Sequence, residues 1–518
     1  MNTVADTEDL AAPLFRHNEP ELCRCIAALG ADNANSAVWW ATTIAAKQAA
    51  AACFWPNLRA WTQTGTFPCP HVSYLQLLRQ VAFQMYRIFL MAPMRLRLRL
   101  RKCLNRDSTV RIFLTHFDRR AWQTDRYRDV YWQRLLSWCC DKGLKLAVIG
   151  HTADDEHFVR AQLIGADEPF DIIPIEYFLN PIDVLKAAVW CVFGHVSLPR
   201  EIQFQGKEIS DLVRLQLKYE RRKGPVFAGL CKFLAVRKII RRLQPKTMCW
   251  PWENLNWERL AALACRQSSS NVQTVGYQHN TVPLFELNHF PAGRECEFAP
   301  LPDTIVTSGP RPGEMLRAYG EFGNQQFAVG CALRFEYLQK MARKSSPLPD
   351  SPVIGLPLSI HTDINIRILR IVADALPDTR LLLKFHPLRP EDQVRAKWQG
   401  AWPQAFEIFD DDDMERFMTE IDIMLYCSSS VCCEAATIGL PAIYLDAGDG
   451  PSGDLIFDNE QLKWSASTPT ELRDCVRQIS ELDDVALEKH RRGAAEYMQR
   501  YFHPVTDENL ERFMALCD

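Results

Sequence analysis

The amino-acid sequence predicts an α/β protein built from two successive parallel sheets. Three observations carry this. Short apolar runs bounded by turn residues alternate with helical patterns, which is the pattern of strand–helix–strand units. Several of these runs end in a polar cluster, where open α/β sheets place their functional groups. The chain has 518 residues, more than one hydrophobic core normally serves.

Residues 1–108 read as a helical N-terminal region, broken by Pro56, Gly65, Pro68 and Pro70. A first sheet is expected in 109–345. Val110 to Thr115 is its first strand, with His116, Phe117 and Asp118 at the exit. A helix over Val130 to Asp141 follows, with Gly143 as its stop. Leu144 to Gly150 is the next strand, with His151 to Glu156 beyond it. Phe170 to Ile175 leads to Glu176. A basic helical stretch, Leu215 to Arg242, precedes a strand at Thr247 to Trp250 and a helix at Trp257 to Arg266. Val272 to Tyr277 exits into Gln278-His279-Asn280, Thr304 to Ser308 closes the sheet, and Phe327 to Leu338 reads as a strand and link.

A second sheet is expected in 346–518. Its strands are Val353 to Leu358, Arg380 to Phe385, Ile421 to Tyr426 and Pro441 to Leu445, with a helix at Asn365 to Leu376. Helices from Thr470 to Phe502 close the chain. The acidic run Asp410 to Asp413 reads as a solvated loop and helix start.

Composition narrows the function. A net charge of -3 argues against a general nucleic-acid binder. Eighteen cysteines without a C-x-x-C pair behave as small hydrophobes and suggest reduced thiols in the cytosol. No uncharged apolar run reaches the roughly 18 residues of a membrane span. Val81 to Met94 is apolar and is followed by Arg95, Arg97, Arg99, Arg101 and Lys102. This order suggests contact with an anionic membrane surface, the cytoplasmic face of an inner membrane.

The densest signal lies in the second half. Arg380 to Phe385 ends in His386-Pro387, and Ile421 to Tyr426 ends in Ser428-Ser429-Ser430. A helix carrying Glu434 then stops at Gly439-Leu440-Pro441. Serine hydroxyls and open N–H groups at a helix start accept a phosphate, and a glutamate one turn in suits ribose hydroxyls. Two α/β domains with nucleotide chemistry in the second are the plan of a GT-B glycosyltransferase, whose cleft lies between the domains.

Tyr131-Trp132, Trp252-Glu253-Asn254 with Trp257-Glu258, Gly276-Tyr277-Gln278-His279 and Val329-Gly330-Cys331-Ala332-Leu333-Arg334 are further ordered strings. Together with the His-Pro and triple-serine elements they resemble a bacterial surface-carbohydrate biosynthesis family related to the retaining β-Kdo transferases. The resemblance spans 110 to 450. It implies a GT-B fold, a CMP-activated donor (CMP-Kdo above all), no required metal or other cofactor, and a glycan or lipid-linked oligosaccharide acceptor of lipopolysaccharide, capsule or O-antigen type. Family members carry a small residue after Gln-His, where this chain has Asn280. Glu253 stands where the family has an aspartate-type nucleophile.

On this reading Glu253 is the nucleophile and Glu176 the general base, with Asp118, Asp154, Asp155 and Glu156 as alternatives for the second role. His279, flanked by Gln278, serves the donor's carboxylate or phosphate, and His116 is a weaker candidate. Arg334 matches a donor carboxylate; Lys384 and Arg389 flank the His-Pro turn and can serve the same anion. His386, Pro387, Ser428, Ser429, Ser430 and Glu434 form the nucleotide set. Other readings are a transferase of the same fold with a CMP-sialic-acid-like or nucleotide-diphosphate sugar, and a non-catalytic scaffold of a polysaccharide assembly complex.

Overall fold

The computed structural model describes residues 19–48, 74–91, 110–117, 119–122, 126–152, 156–165, 168–268, 271–359, 361–386, 391–411, 413–446 and 452–517. Pro387, Arg389, Asp118, Asp154 and Asp155 lie outside them, as do the basic residues from Arg95 to Lys102. The chain divides into two compact units. The larger takes the described residues up to Asn280, Glu286–Arg334 and the chain end from His503; the smaller takes Phe335–Phe502 with Thr281–Phe285. This departs from the expected boundaries at both ends. The helices before residue 110 pack within the larger unit, and the last segment returns to it, where Thr247 Oγ1 donates to the Cys517 carbonyl at 2.5 Å.

The α/β class holds in both units. In the larger, the strands are β1 (Arg111–Phe117), β2 (Leu146–Thr152), β3 (Asp171–Pro174), the short hairpin β4–β5 (Gln203–Phe204, Lys207–Glu208), β6 (Thr247–Pro251), β7 (Gln273–Gln278), β8 (Thr304–Thr307) and β9 (Gln326–Val329). The main sheet runs β3-β2-β1-β6-β7-β8-β9, and every neighbouring pair is parallel. β6 is buried at every residue, as a strand covered by helices on both faces must be.

The smaller unit holds β10 (Ile354–Pro357), β11 (Leu381–Lys384), β12 (Phe406–Ile408), β13 (Ile423–Tyr426), β14 (Ala442–Leu445) and β15 (Lys463–Ala466). Their order is β12-β11-β10-β13-β14-β15, again all parallel. Both sheets therefore start in the middle, run outward to one edge, cross back and run outward to the other. This is the doubly wound order of a Rossmann-like unit. Its crevice opens at the carboxyl ends where the direction of winding reverses: between β1 and β6 in the larger unit, and between β10 and β13 in the smaller.

Three local readings are corrected. The basic stretch from Leu215 to Arg242 is two helices, Ser210–Lys223 and Pro225–Leu243. Gly224 between them sits at φ +107°, open to glycine, and Pro225 presets the next helix start. The helix expected from Val130 begins at Arg134. After β9 the chain forms a 3-10 segment, Leu333–Gln339, instead of extending the strand. The sequence reading also passed over a helix at Pro181–Phe193, which Asn180 and Asp183 close with reciprocal capping bonds.

Candidate functional site

The crevice of the larger unit contains a cavity of about 140 Å³. β1 supplies His116, β6 and its exit loop supply Pro251 and Glu253, and β7 leads into His279. Arg120, Tyr131, Trp257, Glu258 and Arg334 complete the polar and aromatic wall. The sequence-predicted Glu253, His279, Arg334 and His116 thus meet at the winding reversal of one sheet.

Backbone packing sets Glu253 in place. Trp252 N donates to the Tyr277 carbonyl at 2.7 Å, tying the β6 exit to β7. A Cβ on Gly276 would lie 3.0 Å from the Trp252 Cβ, so glycine is what lets this tryptophan close on the strand. Asn254 takes φ +60°, which an asparagine tolerates. Its side chain donates to the Asn288 carbonyl at 2.6 Å, and Asn288 returns a bond to the Glu253 carbonyl at 2.6 Å. Glu258, in the first turn of the helix Asn256–Arg266, accepts from the N–H groups of Glu253 and Asn254, both at 2.8 Å.

The Glu253 carboxylate faces His279 Nε2 at 3.5 Å and accepts from Asn280 Nδ2 at 3.4 Å. Asn280, where the family resemblance has a small residue, thereby touches the Glu253 carboxylate. Burial raises the Glu253 pKa above its ordinary value, and the Asn280 bond and the Arg334 charge pull the other way. Glu258 is raised well above its ordinary value by burial and by Glu253. Burial, then Arg334, hold His279 far below the usual imidazole range. Burial and Lys232 do the same for His116. Both rings are neutral at pH 7. Tyr131 stands edge-on to His279, with ring centroids 4.7 Å apart.

A second network fixes this wall from behind. Glu295 is 1 % exposed and bridges two buried cations, Lys47 and Arg259, the latter at 2.8 Å. Arg259 Nε also donates to Asn254 Oδ1 at 3.1 Å and its guanidinium lies 5.2 Å from the Trp40 ring centre. Burial opposes the charge on Glu295, but Lys47 and Arg259 outweigh it and keep its pKa lowered.

Two expected residues are elsewhere. Glu176 follows β3 at the far edge of the sheet and does not line the cavity. It is buried in an ion pair with Arg87 at 3.0 Å, with His151 Nδ1 at 3.5 Å. Burial would raise its pKa, but Arg87 and His151 reverse this and hold it down to about 2. A carboxylate so engaged is a poor base. Removing the N-terminal helices would take away Arg87 and strand it. Gln278 is a bracket between strand exits, not a ligand: its Oε1 accepts from Ser308 N and Oγ at 3.1 and 3.2 Å, and its Nε2 donates to the Asn280 carbonyl.

Glu176→Gln is therefore expected to change stability more than chemistry. Its lowered pKa stabilises the fold above the unfolded value of 4.5, and that contribution disappears as pH falls toward about 2. Melts of wild type and variant should differ most at neutral pH, by about 1–3 kcal/mol, and converge in acid. A gap that widens in acid would contradict the ion-pair assignment.

In the smaller unit the serines and His386 sit at the carboxyl ends of β13 and β11, which flank β10 on either side. Ser430 begins the helix Val431–Ile438 without a side-chain cap, and Gly439 ends it at φ +82°. Glu434, 6 % exposed, lies in its first turn. Lys384 leaves the anion-binding set: its ammonium donates to the Asp411 carbonyl and lies 5.0 Å from the Phe409 ring centre. Asp413 caps the helix Met414–Glu420 and Asp411 pairs with Arg416 at 2.8 Å, so those members of the acidic run are helix-start groups. Among the described residues no group of three or more His, Cys, Asp or Glu is placed to hold a metal ion. No described helix is long and apolar enough to cross a membrane.

Arg120, Tyr131, Trp257 and Glu258 were not singled out as site residues in the sequence. Only the strings Tyr131-Trp132 and Trp257-Glu258 pointed toward them.

No protein-family model and no curated protein matches the chain. Among solved structures, the kitacinnamycin glycosyltransferase is similar at 12 % identity and a TM-score of 0.43, covering 79 % of this chain and 98 % of that one. The glycosyltransferase SnogD from Streptomyces nogalater gives 12 %, 0.41, 80 % and 100 % in the same order. A putative UDP-N-acetylglucosamine 2-epimerase from Listeria monocytogenes gives 14 %, 0.43, 79 % and 95 %. At TM-scores below 0.5 these similarities carry none of the argument; the strand orders carry the conclusion that the chain is two Rossmann-like α/β units.

Proposed function

We propose that the protein is a nucleotide-sugar-dependent glycosyltransferase that takes an acidic sugar, Kdo, from its CMP form and places it on a glycan or lipid-linked acceptor. The observation that carries the reading is the cavity at the β1–β6 reversal, where Glu253, with Glu258 beside it, meets two neutral imidazoles and the cations Arg120 and Arg334. A carboxylate beside an acidic sugar needs such cations, and Arg334 suits the donor's carboxylate by bidentate geometry. The family resemblance supports the same donor class.

In this reading the Glu253 carboxylate attacks the anomeric carbon, the bond to the phosphate oxygen breaks, and CMP leaves with that electron pair. The acceptor hydroxyl then attacks the same carbon, the bond to Glu253 breaks with its electron pair returning to the carboxylate, and the hydroxyl proton passes to a neutral imidazole of the cavity, so two inversions give retention. Burial makes Glu253 more basic, while the Asn280 bond and the Arg334 charge favour its ionised form. Within the smaller unit, Ser428, Ser429 and Ser430 with His386 are proposed as the phosphate and nucleotide set. One phosphate needs less charge neutralisation than two, so transfer is proposed to require no divalent metal.

A thermal-shift panel with CMP, UMP, UDP and GDP tests the donor class, since stabilisation follows ligand concentration over its dissociation constant. CMP should give the largest shift. A larger shift with UDP would transfer the proposal to a nucleotide-diphosphate sugar. CMP binding without turnover on any acceptor would favour a scaffold.

A further inference from the structure

The larger unit carries a surface that the cavity does not use. Most of the large apolar side chains left exposed among the described residues lie on two helices, Leu75–Leu90 and Pro181–Phe193. On the second, Ile182 (73 % exposed), Leu185, Val189 and Phe193 (80 %) follow one another at three- and four-residue steps, so one face of the helix is an apolar stripe turned to solvent. On the first, Leu75, Leu78, Tyr86 and Phe89 (75 %) share one exposed face, with Leu78 and Tyr86 eight residues apart and the exposed Ala82 between them. A soluble surface rarely gathers apolar residues in this way. The two helices pack on each other. Tyr74, at the start of one, and Phe193, at the end of the other, line one cleft, so the stripes run side by side in opposite directions.

Cations close both ends. The cleft between Tyr74 and Phe193 measures about 490 Å³ and includes Arg214, Lys218, Arg221 and Arg222 in its wall, with no acid among the described residues. Arg222 stacks on the Tyr74 ring at 4.3 Å. At the other end, beside Asn180 where the helix Pro181–Phe193 begins, a cleft of about 520 Å³ is lined by Lys238, Arg241 and Arg242, again with no acid among the described residues. Two cations of these clefts pair with acids, Arg214 with Asp211 at 3.3 Å and Lys238 with Asp183. In sequence, the helix Leu75–Leu90 leads straight toward Arg95, Arg97, Arg99, Arg101 and Lys102.

We infer that this face docks on an anionic bilayer surface, with the two apolar stripes seated at the headgroup–acyl boundary and the two arginine-lined clefts taking lipid phosphates. Apolar insertion flanked by cations is what a monotopic contact with anionic lipid requires. A second copy of the chain fits poorly, because either pairing of the stripes sets a cationic cleft against a cationic cleft. The surface extends the contact expected from Val81 to Lys102 to a second helix, Pro181–Phe193. It stands independently of the proposed transfer reaction.

Flotation of the full-length protein with vesicles of phosphatidylcholine alone, or mixed with phosphatidylglycerol, tests it. The wild type should float only with the mixed vesicles and release at high salt. Ile182→Glu with Phe193→Glu, and separately Lys218→Glu with Arg241→Glu, should each lower the bound fraction by roughly tenfold or more. Melting temperature and CMP-induced stabilisation should stay at wild-type values, which separates this test from the donor assignment. The proposal is overturned if the wild type stays with the soluble fraction, if it floats equally on neutral vesicles, or if the apolar pair of substitutions floats like wild type. It is also overturned if Phe193→Glu instead dissolves a defined oligomer that has no vesicle affinity.

Discussion

Glu253→Gln is expected to lower transfer by at least about 10²-fold, the lower end of what a positioned acid, base or nucleophile contributes, while CMP binding and melting stay near wild type. Gln keeps the shape and can still meet Asn280, but it removes the charge that attacks. The pH profile gives a second readout. An attacking carboxylate must be ionised, and burial has moved its pKa upward. The acid limb of the rate should therefore lie above the ordinary value of 4.5 and should vanish in the variant's residual activity. Intact-protein mass after incubation with donor alone should show an added sugar on wild type and none on the variant. Equal turnover by wild type and variant would reduce Glu253 to a structural residue of the β6 exit loop.

Glu295→Ala should be the most destabilising single change in the larger unit. It leaves Lys47 and Arg259, 0 % and 1 % exposed on their side chains, buried without their shared carboxylate. Breaking one side of a buried ion pair costs about 3–5 kcal/mol, so the melting temperature should fall by on the order of 10 °C. The effect should be largest near neutrality. Glu295 has a lowered pKa, so its stabilisation is present above 4.5 and fades as acid protonates it in the folded state. Activity should fall with stability, because Arg259 also holds Asn254 next to Glu253. A variant that melts within a degree or two of wild type would show that the triad is not coupled as drawn.

The parts of the site that were legible in the sequence are those decided by local pattern. Buried parallel strands read as continuous apolar runs, so the ends of β1, β6, β7, β11 and β13 were visible. With them came His116, Glu253, His279, His386 and the serines. Strand order was not visible. Nothing local says that β6 crosses back to lie beside β1, and that adjacency is what puts His116 and Glu253 in one cavity. Glu176 misled because its partner, Arg87, comes from a helix distant in sequence. An acid at a strand exit looks the same whether it faces a substrate or an arginine. Gln278 misled for a similar reason: Ser308, on the next strand's exit, consumes its amide. The helix Pro181–Phe193 escaped notice because apolar residues occupy its outer face as well as its inner one, which erases the amphipathic period. The break at Gly224-Pro225 was legible and was passed over within a longer basic run.

The claim that this cavity transfers a sugar from a CMP donor is tested most directly by nucleotide release. CMP-Kdo is incubated with wild-type protein and a lipid-linked glycan acceptor, without added metal, and the nucleotide products are separated by chromatography. CMP should be released in step with acceptor glycosylation, unaffected by chelator. Intact CMP-Kdo, with UDP released instead from a UDP-sugar run alongside, would contradict it.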